Sequence, residues 1–231
     1  MPKIIQFKIS LEEIEPKIWR KFLIYDDITF EKLHEIIQKL MSWENYHLWS
    51  FKINKKEITP ENEENGNFNP AEDTFKKLFS SPEFIKMLEE QNLSKKGGVA
   101  LDVNKINAIL EKTKKDTKNE HPLILTKVDE LINKKGQKFQ YIYDFGDSWK
   151  HTLIVEKIFE NKEKYKQIPI CLEGERACPP EDCGGIWGYG ELIEIKKDKK
   201  HPDYEERIKN WLGEDFNFEE FNIERINEKL L

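Results

Sequence analysis

Residues 138–158 read KFQYIYDFGDSWKHTLIVEKI, in which two runs of alternating apolar and polar side chains flank a Gly-Asp pair. A side-chain period of two is the repeat of a half-buried β-strand, and a Gly-X pair between two such runs suits a two-residue type II′ turn. The stretch therefore predicts an antiparallel hairpin with one face laid on a core. With Gly146 and Asp147 in the turn, Phe145 pairs with Ser148, Asp144 with Trp149 and Ile142 with His151. Directly opposed residues share a face, so Asp144, Trp149 and His151 are expected on one side, with Asp144 and His151 as diagonal neighbours about 7–8 Å apart at the backbone.

The N-terminal region repeats the pattern. Ile5, Phe7, Ile9 and Leu11 alternate with Gln6, Lys8 and Ser10, and a second alternating run follows from Lys17 to Tyr25, with Pro16 at its entry where a missing N–H does least harm. Phe30, Leu33, His34, Ile37, Leu40 and Met41 then recur at helical spacing behind Thr29, a suitable N-cap, and Leu48–Ile53 reads as a third strand. Thr126 is expected to open a helix that Gly136 ends. Amphipathic helical patterns occupy about 190–197, 202–212 and 218–230, the middle one bounded by His201-Pro202 and Gly213. The Pro/Gly/Cys-rich stretch from 169 to 190 reads as a loop. From about 57 to 121 a polar loop and short helical patterns near 73–92 and 102–114 read as a helical insertion. The expected fold is α+β: a mixed, mainly antiparallel sheet of two hairpins with flanking helices, in a single domain spanning 1–231.

Composition narrows the functional classes. Fourteen Phe, 7 Tyr and 6 Trp in 231 residues are too many for a disordered chain. Thirty-eight basic against 44 acidic residues leave a net charge of -6, a field that repels phosphate backbones and argues against nucleic acid as a partner. No run approaches the ~18 apolar residues of a membrane-spanning helix. MPKIIQFKIS has neither the apolar core nor the cleavage site of a signal peptide, and the cysteine count of three is odd. Reduced thiols in a cytoplasm are the expectation.

Chemistry concentrates in two places, the hairpin YDFGDSWKH and the segment CLEGERACPPEDCGG at 171–185. Cys171, Cys178 and Cys183, separated by six and four residues, lack the paired CxxC of a zinc ribbon. They would need His151 or His47 as a fourth ligand, and the competing reading is small buried thiols packing a tight loop. The acids are the sharper signal. Asp144, Glu181 and Asp182 with His151 form a candidate catalytic set, suited to zinc, magnesium or manganese hydrolysis chemistry or to an acid/base relay with Cys183 as nucleophile. Against this, Asp144 and Asp147 can cap a turn through their own backbone. Tyr143, Asp147, Trp149, His47, Trp187 and Tyr189 are candidate ligand-binding residues. His34, at a core position of its helix, reads as a satisfied core histidine. Arg20, Lys150 and Arg176 are candidates for a small basic face, but no DNA-binding motif, GxGxxG or Walker loop accompanies them.

Four ordered stretches, KIWRKFLI, LHEIIQKLMSWENYHLWSFKI, YIYDFGDSWKHTLIVEKI and CLEGERACPPEDCGGIWGYGEL, resemble the plasmid pRiA4b ORF-three-like family, whose members also occur as transposon passenger proteins. The resemblance covers about 3–53 and 123–230. It extends to His34, Trp43, His47, Tyr143, Asp144, Asp147, Trp149, His151, Glu181, Asp182 and Tyr189. It implies a compact mixed α/β domain and attaches no reaction to it, and no recombinase-like serine motif or basic DNA-binding tail is present. The expectation is a non-enzymatic binding module associated with mobile elements, taking an unknown protein or small molecule at the YDFGDSWKH hairpin and CPPEDCGG loop. The alternatives are a metal-dependent hydrolase using Asp144, His151, Glu181 and Asp182, and a nucleic-acid-binding accessory protein.

Overall fold

The four alternating runs become four strands of one seven-stranded antiparallel sheet in a computed structural model of the chain, which describes residues 2–60, 123–160 and 165–231. Two units are separable, Met1–Pro60 with Ile124–Leu231 and Glu61–Leu123, and the sheet with its helices forms the first of them. The helical patterns at 73–92 and 102–114 lie outside the described residues. The strands are β1 (Lys3–Leu11), β2 (Trp19–Tyr25), β3 (Trp49–Ile53), β4 (Lys56–Ile58), β5 (Lys138–Tyr143), β6 (Trp149–Glu160) and β7 (Ile170–Glu175), in the order β4-β3-β5-β6-β1-β2-β7. Helices α1 (Phe30–Met41), α2 (Val128–Leu131), α3 (Gly185–Lys197) and α4 (Ile223–Leu230) accompany them, with a π-helical segment at Tyr204–Leu212.

The two expected hairpins, β1/β2 and β5/β6, are joined edge to edge through β1 and β6, where Phe7 faces Val155. One face of the sheet is apolar: the Phe7 ring lies 5.7 Å from both Phe22 and Phe139, and all of Ile5, Phe7, Ile9 and Leu153 are sealed from water. Fully burying each such side chain stabilises by about 1.5–3 kcal/mol. The opposite face is more polar and carries pairs such as Gln6 with Glu156 and Thr152 with Glu12. Helix α1 lies on the apolar face, with Phe30 5.3 Å from Phe51. Thr29 caps it, its hydroxyl accepting from the Lys32 N–H at 3.2 Å, and Ser42 ends it in the left-handed region at φ 62.

Three expectations require correction. First, β4 and β7 extend the sheet where the sequence reads as loop. Both are edge strands with largely exposed alternate residues, so neither carries a strong apolar repeat. The β7 edge is closed by Asn227 of α4, whose amide accepts from Cys171 N–H at 2.7 Å and donates to its carbonyl at 3.1 Å, as a further strand would. Second, the helix expected from Thr126 to Gly136 is one turn, Val128–Leu131, with the Glu130 carboxylate accepting from Lys127 N–H. Gly136, at φ 80, turns the chain before β5.

Third, the β5/β6 register is shifted: Tyr143 pairs with Trp149 and Tyr141 with His151, not Asp144 with Trp149 and Ile142 with His151. Asp144 has left the ladder at φ 54, and its Oδ1 accepts from Gly146 N–H at 2.8 Å and Asp147 N–H at 3.2 Å. The Ser148 N–H closes back onto the Asp144 carbonyl at 2.6 Å. An aspartate that caps its own turn widens a two-residue loop into the five residues 144–148. The shift puts Tyr141 and Tyr143, in place of Ile142 and Asp144, on the apolar face beside Trp149 and His151, and all four are fully buried. The expected cross-strand pairing of Asp144 with His151 is thereby lost.

Candidate functional site

Three segments meet at the end of the sheet where β5 turns into β6: 42–48 after α1, the hairpin loop 144–148, and 176–184 between β7 and α3. Each is fixed by hydrogen bonds to the others. Trp43 stacks on Tyr143 at 4.9 Å, and its indole N–H donates to the Pro179 carbonyl at 2.9 Å. Asp144 N–H donates to the Leu48 carbonyl at 2.8 Å, and Gly184 N–H to Asp147 Oδ2 at 3.1 Å. The glycines that open α3 permit this approach. A Cβ on Gly185 would stand 2.7 Å from the Asp147 carbonyl oxygen, and one on Gly188 would stand 1.8 Å from that of Cys183. Of the eight non-glycine residues at positive φ among the described residues, six, Ser42, Asn45, Asp144, Ser148, Arg176 and Asp182, lie in these segments, a concentration typical of sites where geometry serves function.

The segments bring one imidazole and three carboxylates together. His47 Nε2 lies 3.2 Å from Asp182 Oδ1, 3.7 Å from Asp144 Oδ2 and 3.9 Å from Glu181 Oε2. None of these approaches has hydrogen-bond direction: His47 Nε2 and Glu181 Oε2 are both buried and without a partner. One ligand atom each from His47, Asp144 and Asp182 fall within 4.8 Å of one another, and this is the one such metal-competent group among the described residues. The remaining oxygens are anchored. Glu181 Oε1 accepts from Glu44 N–H at 2.9 Å and from the Tyr143 hydroxyl at 3.0 Å, Asp144 Oδ1 caps its loop, and Asp182 Oδ2 accepts from the Tyr46 hydroxyl at 3.3 Å. Burial raises the Glu181 carboxyl above its ordinary value, against the lowering effect of its donors and of His47.

The positions of the other sequence candidates divide sharply. His151 is not in the carboxylate group. It is fully buried among Trp43 and Tyr141, its Nδ1 bonded to the Trp149 carbonyl, and burial lowers its pKa to about 3. His47 stands beside the carboxylates in its place, because His151 shares the buried face of β6 with Trp149, Leu153 and Val155. Trp149 and Tyr189 are buried and present no ligand surface, whereas Trp187 is 90% exposed. Tyr143 and Asp147 hold the site together through Glu181 and Gly184.

Cys171, Cys178 and Cys183 are free, buried and not grouped as ligands. Cys171 sits in β7, Cys178 lies against Met41 and the Arg20 guanidinium, and Cys183 approaches the Gly185 carbonyl. Burial raises Cys171 to about 11 and Cys183 to about 12, which leaves neither thiol ionised nor nucleophilic near neutral pH and removes the Cys183 relay. Arg20 is spent on the carbonyls of Leu40, Trp19, Glu175 and Arg176, and Arg176 on Glu219 and Pro16, so two of the three cations of the candidate basic face are internal. Glu44 and Tyr46 contribute through a backbone N–H and a hydroxyl, roles that neither spacing nor residue type signals.

The chain as a whole is similar to other proteins. The family described as "Plasmid pRiA4b ORF-3-like protein" matches residues 3–225. The uncharacterised protein y4hQ of Sinorhizobium fredii (strain NBRC 101917 / NGR234) is 26% identical over 227 residues, covering 97% of this chain and 89% of that protein. A crystal structure of a protein of unknown function, MM3350 from Methanosarcina mazei Go1, is similar with a TM-score of 0.61 and 29% identity, over 97% of both chains. Among the described residues, no helix is long and apolar enough to cross a membrane.

Proposed function

We propose, from the premise that this chain belongs to the plasmid pRiA4b ORF-3-like family, that it is a divalent-cation protein of the metal-dependent hydrolase kind. His47, Asp144 and Asp182 are the ligands and Glu181 is the group beside them. One observation carries the reading: a buried imidazole nitrogen and a buried carboxylate oxygen, both without hydrogen bonds, converge with two further carboxylates on one small volume. Three carboxylates taken partly out of water repel one another, and leaving such atoms unpaired costs about 1–3 kcal/mol each. A cation removes both costs. Two ligand atoms each about 2.1 Å from one ion lie about 3.0–3.4 Å apart in octahedral or tetrahedral geometry, near the 3.2 and 3.7 Å from His47 Nε2 to Asp182 and Asp144 in a group whose ligand atoms all lie within 4.8 Å of one another.

The mixed donor set favours zinc or manganese over magnesium, because an imidazole suits the former two. Such an ion lowers the pKa of a bound water to near 7. The chain's own contribution is orientation. Glu44 N–H and the Tyr143 hydroxyl fix Glu181 Oε1, leaving Oε2 free beside His47, and a carboxyl raised by burial is a better proton acceptor than an exposed one. Asp144 reaches the centre because its other oxygen is tied to Gly146 and Asp147.

Calorimetric titration with zinc and manganese tests this reading. Wild-type protein is expected to bind one ion per chain. Asp144→Asn, which keeps the loop-capping oxygen and loses the charge, should bind on the order of 100-fold more weakly at an unchanged urea midpoint. A wild-type chain that takes up neither ion at stoichiometric level is instead the metal-free interaction module, with the same hairpin and loop as its surface.

A further inference from the structure

Seven large apolar side chains are exposed among the described residues: Tyr46, Leu48, Leu125, Phe145, Trp187, Trp211 and Leu231. Three of them belong to the segments that build the candidate centre, and a fourth, Trp187, follows the third segment directly. Tyr46 and Leu48 flank His47 in the chain, Phe145 follows Asp144, and Trp187 stands in the first turn of α3, whose start rests on the Asp147 carbonyl. Their exposures are 55, 43, 39 and 90%. An apolar side chain left in water forgoes the burial energy available in a core, and exposed apolar residues scattered singly carry no meaning, but a group gathered on the loops of one site marks a surface that something covers. Three of the four are aromatic. Tyr46 is also held in place, its ring 4.6 Å from His47 and its hydroxyl on Asp182.

A cavity of about 500 Å³ that Glu44 and Glu181 also line is the competing place for a ligand. Glu44, Glu181, Asp215 and Glu220 line it together with Arg20, Arg225 and Lys229, a mixture of charges that selects no ligand class. The unpartnered His47 Nε2, by contrast, belongs to the segment that carries Tyr46 and Leu48.

Resting on the proposed metal centre, we infer that the ligand of this protein joins an oxyanion to a flat apolar ring, the oxyanion meeting the cation and the ring lying against the Tyr46, Phe145 and Trp187 surface. A cation held by carboxylates and imidazole takes oxygen donors such as phosphate in its remaining positions. Without the cation the three carboxylates repel the same anion, so ligand and metal bind together. Aromatic side chains in turn accept a planar ring with little ordering cost, because each has few rotatable bonds. Nucleoside phosphates and aryl phosphates share this chemistry.

Binding of manganese alone to the full chain is measured first, which decides the metal reading by itself. AMP, phenyl phosphate and ribose 5-phosphate are then titrated into the manganese-loaded protein. Both ring-bearing phosphates should bind about tenfold or more tightly than ribose 5-phosphate, the factor that one stacked ring contributes. AMP ahead of phenyl phosphate indicates a nucleotide, and the reverse order an aryl ester. Trp187→Ala should weaken AMP about tenfold while leaving manganese and ribose 5-phosphate within about twofold, and Lys229→Gln in the cavity should change none of the three. The inference is overturned if manganese binds but ribose 5-phosphate matches AMP, if none of the three phosphates binds, or if Lys229→Gln rather than Trp187→Ala weakens AMP. Absence of manganese binding overturns the metal reading and this inference with it.

Discussion

His34 and His151 on one side, and His47 on the other, are held in opposite ways by neighbouring parts of one fold. With His34 neutral, the Tyr141 hydroxyl donates to its Nδ1 at 2.8 Å and its Nε2–H donates to Asn45 Oδ1 at 2.5 Å. Gln38 completes the ring, donating to the Tyr141 oxygen and accepting from Asn45 N–H. His151 is enclosed by aromatic rings. The inner histidines thus serve packing and fix the Asn45 turn two residues before His47. In the outer group the anchoring bonds fall on one oxygen of each carboxylate and leave the others, with His47 Nε2, aimed at a common space. Residue type does not separate a core histidine from a ligand, and neither does an unpartnered nitrogen, since His151 Nε2 is also buried without a hydrogen bond; what separates them is that the free nitrogen of His47 faces carboxylates while His151 is packed against aromatic rings.

Acid should break the inner group first. Burial lowers His34 to about 4 and His151 to about 3 from an ordinary 6.5, so the unfolded chain takes up these protons at a pH where the folded one refuses them. Stability is unaffected above pH 6.5, falls as pH drops from 6.5 towards 4, and levels for His34 once the folded state also protonates. The loss is ~3 kcal/mol for each histidine by pH 4. Urea unfolding at pH 7, 5.5 and 4 measures it, and His34→Gln and His151→Gln should each flatten the slope by about half. An unchanged slope in both variants would mean that neither imidazole is held neutral.

Two tryptophans sharpen the contrast. Trp149 is sealed against Trp43, whereas Trp187 is almost fully exposed. Trp149→Ala should therefore cost about 3–5 kcal/mol, and Trp187→Ala no more than about 0.5 kcal/mol. Equal unfolding midpoints for the two variants would dissolve the distinction between core and rim on which the ligand surface depends.

The same contrast explains how much of the molecule is legible in the chain. Strands β1, β2, β5 and β6 and helix α1 carry strong apolar periods because each buries a continuous face, and Thr29 caps where its residue type predicts. Edge strands β4 and β7 bury too little to impose a period. The site is legible as a location, since Asp144, Glu181, Asp182 and His47 all stand out, but the assignment of the imidazole depends on one residue of register. Gly146-Asp147 satisfies the rule for a two-residue turn, and nothing in the pair reveals that Asp144 takes a left-handed conformation and caps the loop itself. Competition between a backbone turn and a side-chain cap is decided by amounts near ~1 kcal/mol, below what residue type resolves.

The smallest effect is the most discriminating, because it opposes stability to function at one atom. Glu181 Oε2 is buried and unpartnered, and burial raises the carboxyl, so the folded state binds the Glu181 proton more tightly than the unfolded state does. The resulting penalty is absent well below the ordinary carboxylate value of 4.5 and grows as pH rises through the window between that value and the folded one. Glu181→Gln keeps the Oε1 acceptor for Glu44 and Tyr143 and removes the charge. Relative to wild type the variant should gain a little stability as pH rises above the ordinary carboxylate value and keep that gain at pH 7, while manganese affinity falls on the order of tenfold. Such a residue, harmful to the fold and needed by the site, is the signature of a carboxylate placed for function. A Gln variant less stable than wild type at pH 7 with manganese affinity intact would instead make Glu181 a structural brace for the 42–48 turn.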